Sequence, residues 1–376
     1  MSPRRLAAEN LTSAVSFLPT HASRMATRWL RRIGSKGSGF RYVDERGRPV
    51  RDQRTIQRIR ALVLPPAWRD VHVAASPRTN IQAWGFDARG RKQYRYHDRA
   101  VERRERRKYY RVRQLAKELP RMRRRLRDDA NARELARITV AATVLRLITE
   151  SFCRVGGERY ARENGTYGVT TLKKSHVSVE HDYVTLEYKG KSNKNQRQVI
   201  VGRELARLIR RQLRTPGARL FRYRTSAGAW CDLTARDVND YVHERLGPHY
   251  SAKDFRTWGG TLRAATVLAE LGPARNTTEA KRNVALAMRL VSMELGNTPT
   301  ICRASYVHPL VIARYLDEGD VIALSRARQS ASNRGQAHSA EERALIAFLD
   351  RHFPERRRRP RLETASESGA AERSAA

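Results

Sequence analysis

Apolar and polar positions along this chain fall into two regimes. From Gly39 to about Tyr96 the pattern alternates. Phe40-Arg-Tyr-Val43, Val71-His-Val73, Ile81-Gln-Ala-Trp-Gly-Phe86 and Arg91-Lys-Gln-Tyr-Arg-Tyr96 read as strands, with Asp44-Glu-Arg-Gly47 and Asp87-Ala-Arg-Gly90 as turns. One short helix interrupts them: Ile56, Ile59 and Leu62–Val63 recur at helical spacing until Pro65-Pro66 stops it. Beyond residue 100 the period lengthens to three or four. Residues 101–127 are helical with a break expected at Pro120. Asn131 to Ser151 carries Leu135, Ile138, Ala142, Leu145 and Ile148 on one face. Three strands follow, His176–Glu180, Tyr183–Tyr188 and Gln196–Val201, with Lys189-Gly-Lys-Ser-Asn193 as a polar tip between the last two. Residues 202–250 read as mostly helical. Further helices are expected from Ser251 to Leu271, Glu279 to Leu295, Val307 to Leu316 past Pro309, and Glu341 to Phe353.

These regimes predict an α+β fold: a small β-rich N-terminal domain and a mainly α-helical domain with a three-stranded antiparallel sheet. The boundaries read as a basic leader over 1–38, the β-rich domain over 39–100, the helical domain over 101–353 and a disordered tail over 354–376. The end of the leader, Gly34-Ser-Lys-Gly-Ser-Gly39, reads as a loop.

Charge narrows the choice of partner. Lys and Arg number 76 against 38 Asp and Glu, a net charge of +38. Self-repulsion on that scale is relieved by a polyanion, and nucleic acid is the obvious one. The segment 101–127 alone holds 13 basic residues against 3 Glu, which points to contact with a DNA backbone. No run of 18 apolar residues and no apolar signal region is present, so neither a membrane span nor secretion is expected. Cys153, Cys231 and Cys302 match no metal spacing and read as reduced thiols of a cytoplasm.

The candidate chemistry sits late in the chain. Gly296 ends a helix as a C′ glycine does, and Thr298-Pro299 reads as an N-cap and first-turn proline. Tyr306 is expected about two turns into that helix. A phenol attacks a phosphodiester when cations stabilise the transition state. Arg154 precedes two glycines that let backbone approach a ligand. Lys191 lies at the hairpin tip. Arg256 falls in the first turns of a helix, where it would face an anion beside free amides. Tyr94 and Tyr96 share one face of their strand, with Gln93 and Arg95 on the other.

Arg154, Lys191, Arg256, Asn297 and Tyr306, in that order, resemble the active-site set of the type IB DNA topoisomerases, most closely the compact bacterial and poxvirus-type enzymes. The segments Arg91–Tyr96, Arg154–Tyr160 with Gly165–Lys173, Lys189–Lys191, Lys253-Asp-Phe-Arg-Thr257 and Gly296 through Tyr306 carry the likeness. The resemblance implies a catalytic fold similar to that of tyrosine recombinases. It implies Tyr306 as nucleophile, Lys191 as general acid, and Arg154, Arg256 and Asn297 on the phosphate, with no cofactor, metal or ATP. It implies DNA contacts from Gln93, Tyr94, Tyr96 and Tyr160, and a monomer clamping double-stranded DNA in the nucleoid to relax supercoils of either sign. Poxviral and eukaryotic members carry His where Asn297 stands, so Asn297 is expected to donate a hydrogen bond rather than titrate. His308 is a distant substitute, and Lys173 and Lys174 are rivals to Lys191. Two other readings stand beside this one. A tyrosine recombinase would carry His-x-x-Arg where Lys253-Asp-Phe-Arg256 is found. A non-catalytic basic DNA-binding protein would need no tyrosine chemistry at all.

Overall fold

The computed structural model describes residues 27–324 and 337–353. Residues 1–26 of the leader and the tail 354–376 lie outside the described residues. The chain divides into two compact units, one reaching to Arg106 and the other starting at Arg107.

The first unit is a five-stranded antiparallel sheet with one helix. Its elements are β1 (Trp29–Ser35), β2 (Gly39–Val43), α1 (Gln53–Ala61), β3 (Arg69–Ala74), β4 (Ile81–Phe86) and β5 (Lys92–Tyr96), with strand order β2-β1-β3-β4-β5. Leu30, Ile59, Val71, Val73 and Ala83 form its core. The expected loop at 34–39 is instead the turn of a hairpin, and the end of the leader is strand β1, paired with β2 and β3. Its basic residues hid it. Arg32 does not face solvent: its guanidinium donates to the carbonyls of Pro65 and Trp68 at 3.1 and 2.5 Å and lies 4.2 Å from the Phe40 ring centroid.

The helix α2 (Asp98–Ala130) begins in the first unit and continues through the second. It runs unbroken past Pro120, against expectation. A helical proline orphans the carbonyl four residues back. Here that carbonyl, of Ala116, meets His338 Nε2 at 2.7 Å. The second half of α2 is only in part a basic face. Val112, Leu115, Leu119, Met122 and Leu126 are core residues. Some of its cations are used internally: Arg111 bonds Asp254, Arg123 bonds Glu342, and Arg113, 1% exposed, pairs with Asp350 at 3.3 Å, while Arg121, Arg124 and Arg127 are exposed.

After α2 come α3 (Arg137–Ser151), α4 (Glu158–Asn164), the sheet β6 (Val177–Glu180), β7 (Tyr183–Lys189) and β8 (Asn195–Val201), and α5 (Arg203–Leu213). Then come β9 (Arg222–Arg224), β10 (Trp230–Asp232), α6 (Ala235–Leu246), α7 (Ala252–Leu271), α8 (Thr277–Leu295), α9 (Pro299–Ser305), α10 (Pro309–Glu318) and α11 (Ala340–His352). The small β9–β10 pair lies within a stretch that reads as helical. The sheet β6-β7-β8 is antiparallel throughout. Helix α3 is buried without a break from Thr139 to Leu145 and again at Leu147 and Ile148. Its end delivers Phe152, in the left-handed region at φ 53°, straight into Cys153 and Arg154. No helix among the described residues is long and apolar enough to cross a membrane.

Candidate active site

The site is built on the C-terminal end of α8. Gly296 takes the left-handed conformation at φ 59°, the Gly296 N–H returns to Met293 O and the Asn297 N–H to Ser292 O. This is a Schellman closure, which still leaves the last carbonyls open. Three side chains from three other elements fill them. Gln198 Nε2 from β8 donates to Glu294 O at 2.8 Å, Arg256 Nη2 from α7 to Leu295 O at 2.9 Å, and Arg154 Nη1 to Gly296 O at 3.0 Å. Arg154 Nη2 also donates to Asn297 Oδ1. A helix C-terminus carries partial negative charge, so it holds two guanidiniums that would otherwise repel. Burial and the neighbouring Arg256 both pull the pKa of Arg154 down from its ordinary value.

Two donors in this cluster remain open. Asn297 Nδ2 and Arg256 Nε are buried with no hydrogen-bond partner among the described residues. A buried donor without a partner costs roughly 1–3 kcal/mol, which an incoming phosphate oxygen would recover.

Tyr306 stands about two turns from the start of α9, as expected, where it forms the C-cap one residue past the helix end. Thr298 and Pro299 open α9 as expected, with the Thr298 hydroxyl accepting from Ile301 N. The backbone around the tyrosine is pinned at three successive carbonyls. Lys108 Nζ donates to Ser305 O at 3.4 Å, Thr261 Oγ1 to Tyr306 O at 3.2 Å, and Tyr109 Oη to Val307 O at 2.8 Å. The ring sits 5.1 Å from the Arg256 guanidinium and 5.9 Å from Lys253 Nζ. Burial alone would raise the phenol pKa. The charges of Arg256, Arg154 and Lys253 and a hydrogen bond from Arg256 outweigh it, and the net shift is downward.

Several glycines at the site serve backbone packing. Gly156, after Arg154, lies against the backbone of Gly168, and Arg154 O accepts from Val169 N at 2.8 Å. In α7, Gly259 admits the Phe152 ring and Gly260 admits the Tyr306 backbone, with 3.0 Å from a Cβ position there to Tyr306 O. The segments carrying Arg154 and Tyr306 thus dock on one pair of glycines.

The structure therefore brings Arg154, Arg256, Asn297 and Tyr306 together. Arg256 does not face an anion at its own helix N-terminus, as expected from its position. Its side chain crosses to α8 and is 3% exposed. Lys191 is exposed at the β7–β8 tip, where Ser192 and Asn193 both have positive φ. Lys174 is tied to Thr215 O, and Lys173 Nζ lies 5.7 Å from the Tyr167 ring. His308 is buried, caps α10 through Nδ1, and is pushed down to about 4 by burial and by Arg113 and Lys108. It is neutral at physiological pH. Tyr160 is 61% exposed on α4. Gln93, Tyr94 and Tyr96 belong to the first unit. There Tyr94 and Tyr96 stack at 5.9 Å, Gln93 bonds Asp87 at 2.9 Å, and Arg104 lies 4.4 Å from the Tyr96 ring. Sequence reading missed Lys108, Tyr109, Thr261 and Gln198. A glycine pair inside a helical pattern, Gly259-Gly260 before Thr261, was the one signal available.

Known proteins match on both units. Residues 91–330 match the profile of the eukaryotic DNA topoisomerase I catalytic core, and residues 39–87 that of the bacterial DNA topoisomerase IB N-terminal domain. The DNA topoisomerase 1B of Acanthamoeba polyphaga mimivirus is 32% identical over 267 residues, covering 69% of this chain and 80% of the viral protein. Among solved structures, the XerH site-specific recombinase in a post-cleavage complex with palindromic difH is 16% identical at TM-score 0.32, over 50% of this chain and 47% of the recombinase. A pre-cleavage XerH complex is 13% identical at the same TM-score, over 53% of each chain. The chain spans about half the length of these recombinases.

Proposed function

The chain belongs to the type IB DNA topoisomerases, and from that premise we propose that it relaxes supercoiled DNA by nicking one strand with Tyr306, letting the free end swivel, and resealing the nick. The reading is supported chiefly by one observation: Arg154, Arg256 and Asn297 converge with Tyr306 on a single helix end, where two buried donors stand open.

The Tyr306 phenol gives its proton to water and its oxygen attacks phosphorus. The O–P bond forms as the bond from phosphorus to the 5′ oxygen breaks. Arg154 and Arg256 hold the non-bridging oxygens, where charge develops, and Asn297 Nδ2 adds a hydrogen bond. Lys191 gives its ammonium proton to the departing 5′ oxygen. The product is a 3′-phosphotyrosyl link and a free 5′-hydroxyl, and the reverse reaction reseals the strand. The bond energy is kept in the link and the arginines supply the charge, so neither ATP nor a metal enters the cycle. Gln93, Tyr94, Tyr96 and Tyr160 contact the duplex, and the protein acts as a monomer.

The test is a duplex whose downstream fragment, released with a free 5′-hydroxyl, diffuses away and traps the adduct. Peptide mapping is expected to find DNA on Tyr306, attached through its 3′ phosphate, and none in Tyr306→Phe. An adduct on another residue, or on a 5′ phosphate, would contradict the assignment.

A further inference from the structure

The β7–β8 hairpin carries more of the site than its tip. One face of it runs through three cross-strand pairs towards Lys191: Val184 with Ile200, Leu186 with Gln198, and Tyr188 with Gln196. The first pair is apolar and buried, as a sheet face against a core should be. The next two turn polar as the face meets the catalytic segments.

Gln198 uses both ends of its amide. Nε2 donates to Glu294 O at 2.8 Å and Oε1 accepts from Cys153 Sγ at 3.2 Å. Tyr188 donates to the same sulfur at 3.3 Å. Cys153 is the neighbour of Arg154, and Glu294 lies three residues before Asn297, so one strand position grips both phosphate-binding segments. Gln196, two residues nearer the tip, lays its side chain against Gly296 and against Gly190, the residue before Lys191. A half-buried amide is costly unless its polar atoms are bonded, and the bonds of Gln198 lead to the segments that carry Arg154 and Asn297.

We infer that Gln198 and Gln196 are positioning residues for the proton transfer: they fix the hairpin on the α8 terminus so that Lys191 reaches the 5′ oxygen. The inference rests on the reading of Lys191 as general acid. Gln198 sets the hairpin's register, and Gln196 limits the swing of the tip by closing the gap between Gly190 and Gly296.

The experiment compares single-turnover cleavage of two duplexes, one with the ordinary 5′ oxygen at the scissile bond and one with sulfur there. A thiolate leaves without a proton, so loss of the general acid is masked. Lys191→Ala is expected to lose roughly a hundredfold or more on oxygen and to recover on sulfur. Gln198→Ala and Gln196→Ala are expected to lose about tenfold on oxygen and to come within about threefold of wild type on sulfur, with DNA affinity unchanged. Arg154→Ala should be slow on both. Full activity of both glutamine variants on oxygen, or equal losses on both substrates, would overturn the inference. If Lys191→Ala itself fails to recover on sulfur, the general-acid assignment fails instead. Among the described residues the Gln196 side chain bonds its neighbour Asn195 alone, so Gln196→Ala carries the test should Gln198→Ala not fold.

Discussion

At the scale of single residues, Tyr306, the proposed nucleophile, is tuned by its surroundings. Burial raises the Tyr306 phenol, while Arg256, Arg154 and Lys253 lower it further than burial raises it. In the proposed mechanism the attacking species is the phenolate, so cleavage should rise with pH through an ionisation below the ordinary tyrosine value. Replacing Lys253 by Met removes one of the lowering charges and should move that limb to higher pH. Single-turnover rates on the sulfur substrate read this without interference from proton donation. A limb that does not move would show that Lys253 leaves the phenol alone. That Arg154, Arg256, Asn297 and Tyr306 belong together was legible in the sequence because their order along the chain survives the folding of everything between them. Their contacts were not. Arg256 finds Leu295 O, and Tyr109 finds Val307 O across 198 positions. No local pattern encodes such pairings, and Tyr109 follows the same apolar stripe as Val112 and Leu115.

At the scale of elements, α2 shows how tertiary contacts override a local rule. Pro120 orphans the Ala116 carbonyl and His338 supplies the missing partner. In a double-mutant cycle, His338→Ala alone should cost about 1–2 kcal/mol in denaturant unfolding. In the Pro120→Ala background, where a new backbone N–H reaches that carbonyl, it should cost measurably less. Equal costs in both backgrounds would mean the two sites are uncoupled. Helix α7 makes a second case. A methyl at Gly260 would press on Tyr306 O and the Leu295 side chain at 3.0 Å. Gly260→Ala should therefore slow cleavage by roughly tenfold or more while leaving DNA binding intact, since displacements below an ångström misalign attack. Strand periodicity made four of the five strands of the first sheet legible. β1 was missed because Arg31 and Arg32 broke the apolar signal, and the burial of Arg32 against carbonyls and Phe40 depends on partners elsewhere in the chain.

At the scale of the molecule, the charge of +38 is spent in two ways. Part of it is internal, as the ion pairs of Arg111, Arg113 and Arg123 show. Arg103, Arg106 and Arg107, at the start of α2, are exposed and available to phosphates. DNA affinity should accordingly fall linearly with the logarithm of salt concentration, and charge-removing substitutions at these arginines should flatten that slope. The same substitution at Arg123 should leave the slope unchanged and lower stability, because that charge is committed to Glu342. The most direct test of the whole account is plasmid relaxation in EDTA without ATP, with negatively and positively supercoiled substrates, by wild type and Tyr306→Phe. The account requires wild type to relax both signs, and Tyr306→Phe to relax neither while still binding DNA. Relaxation by Tyr306→Phe, or none by wild type at any salt concentration, would contradict it.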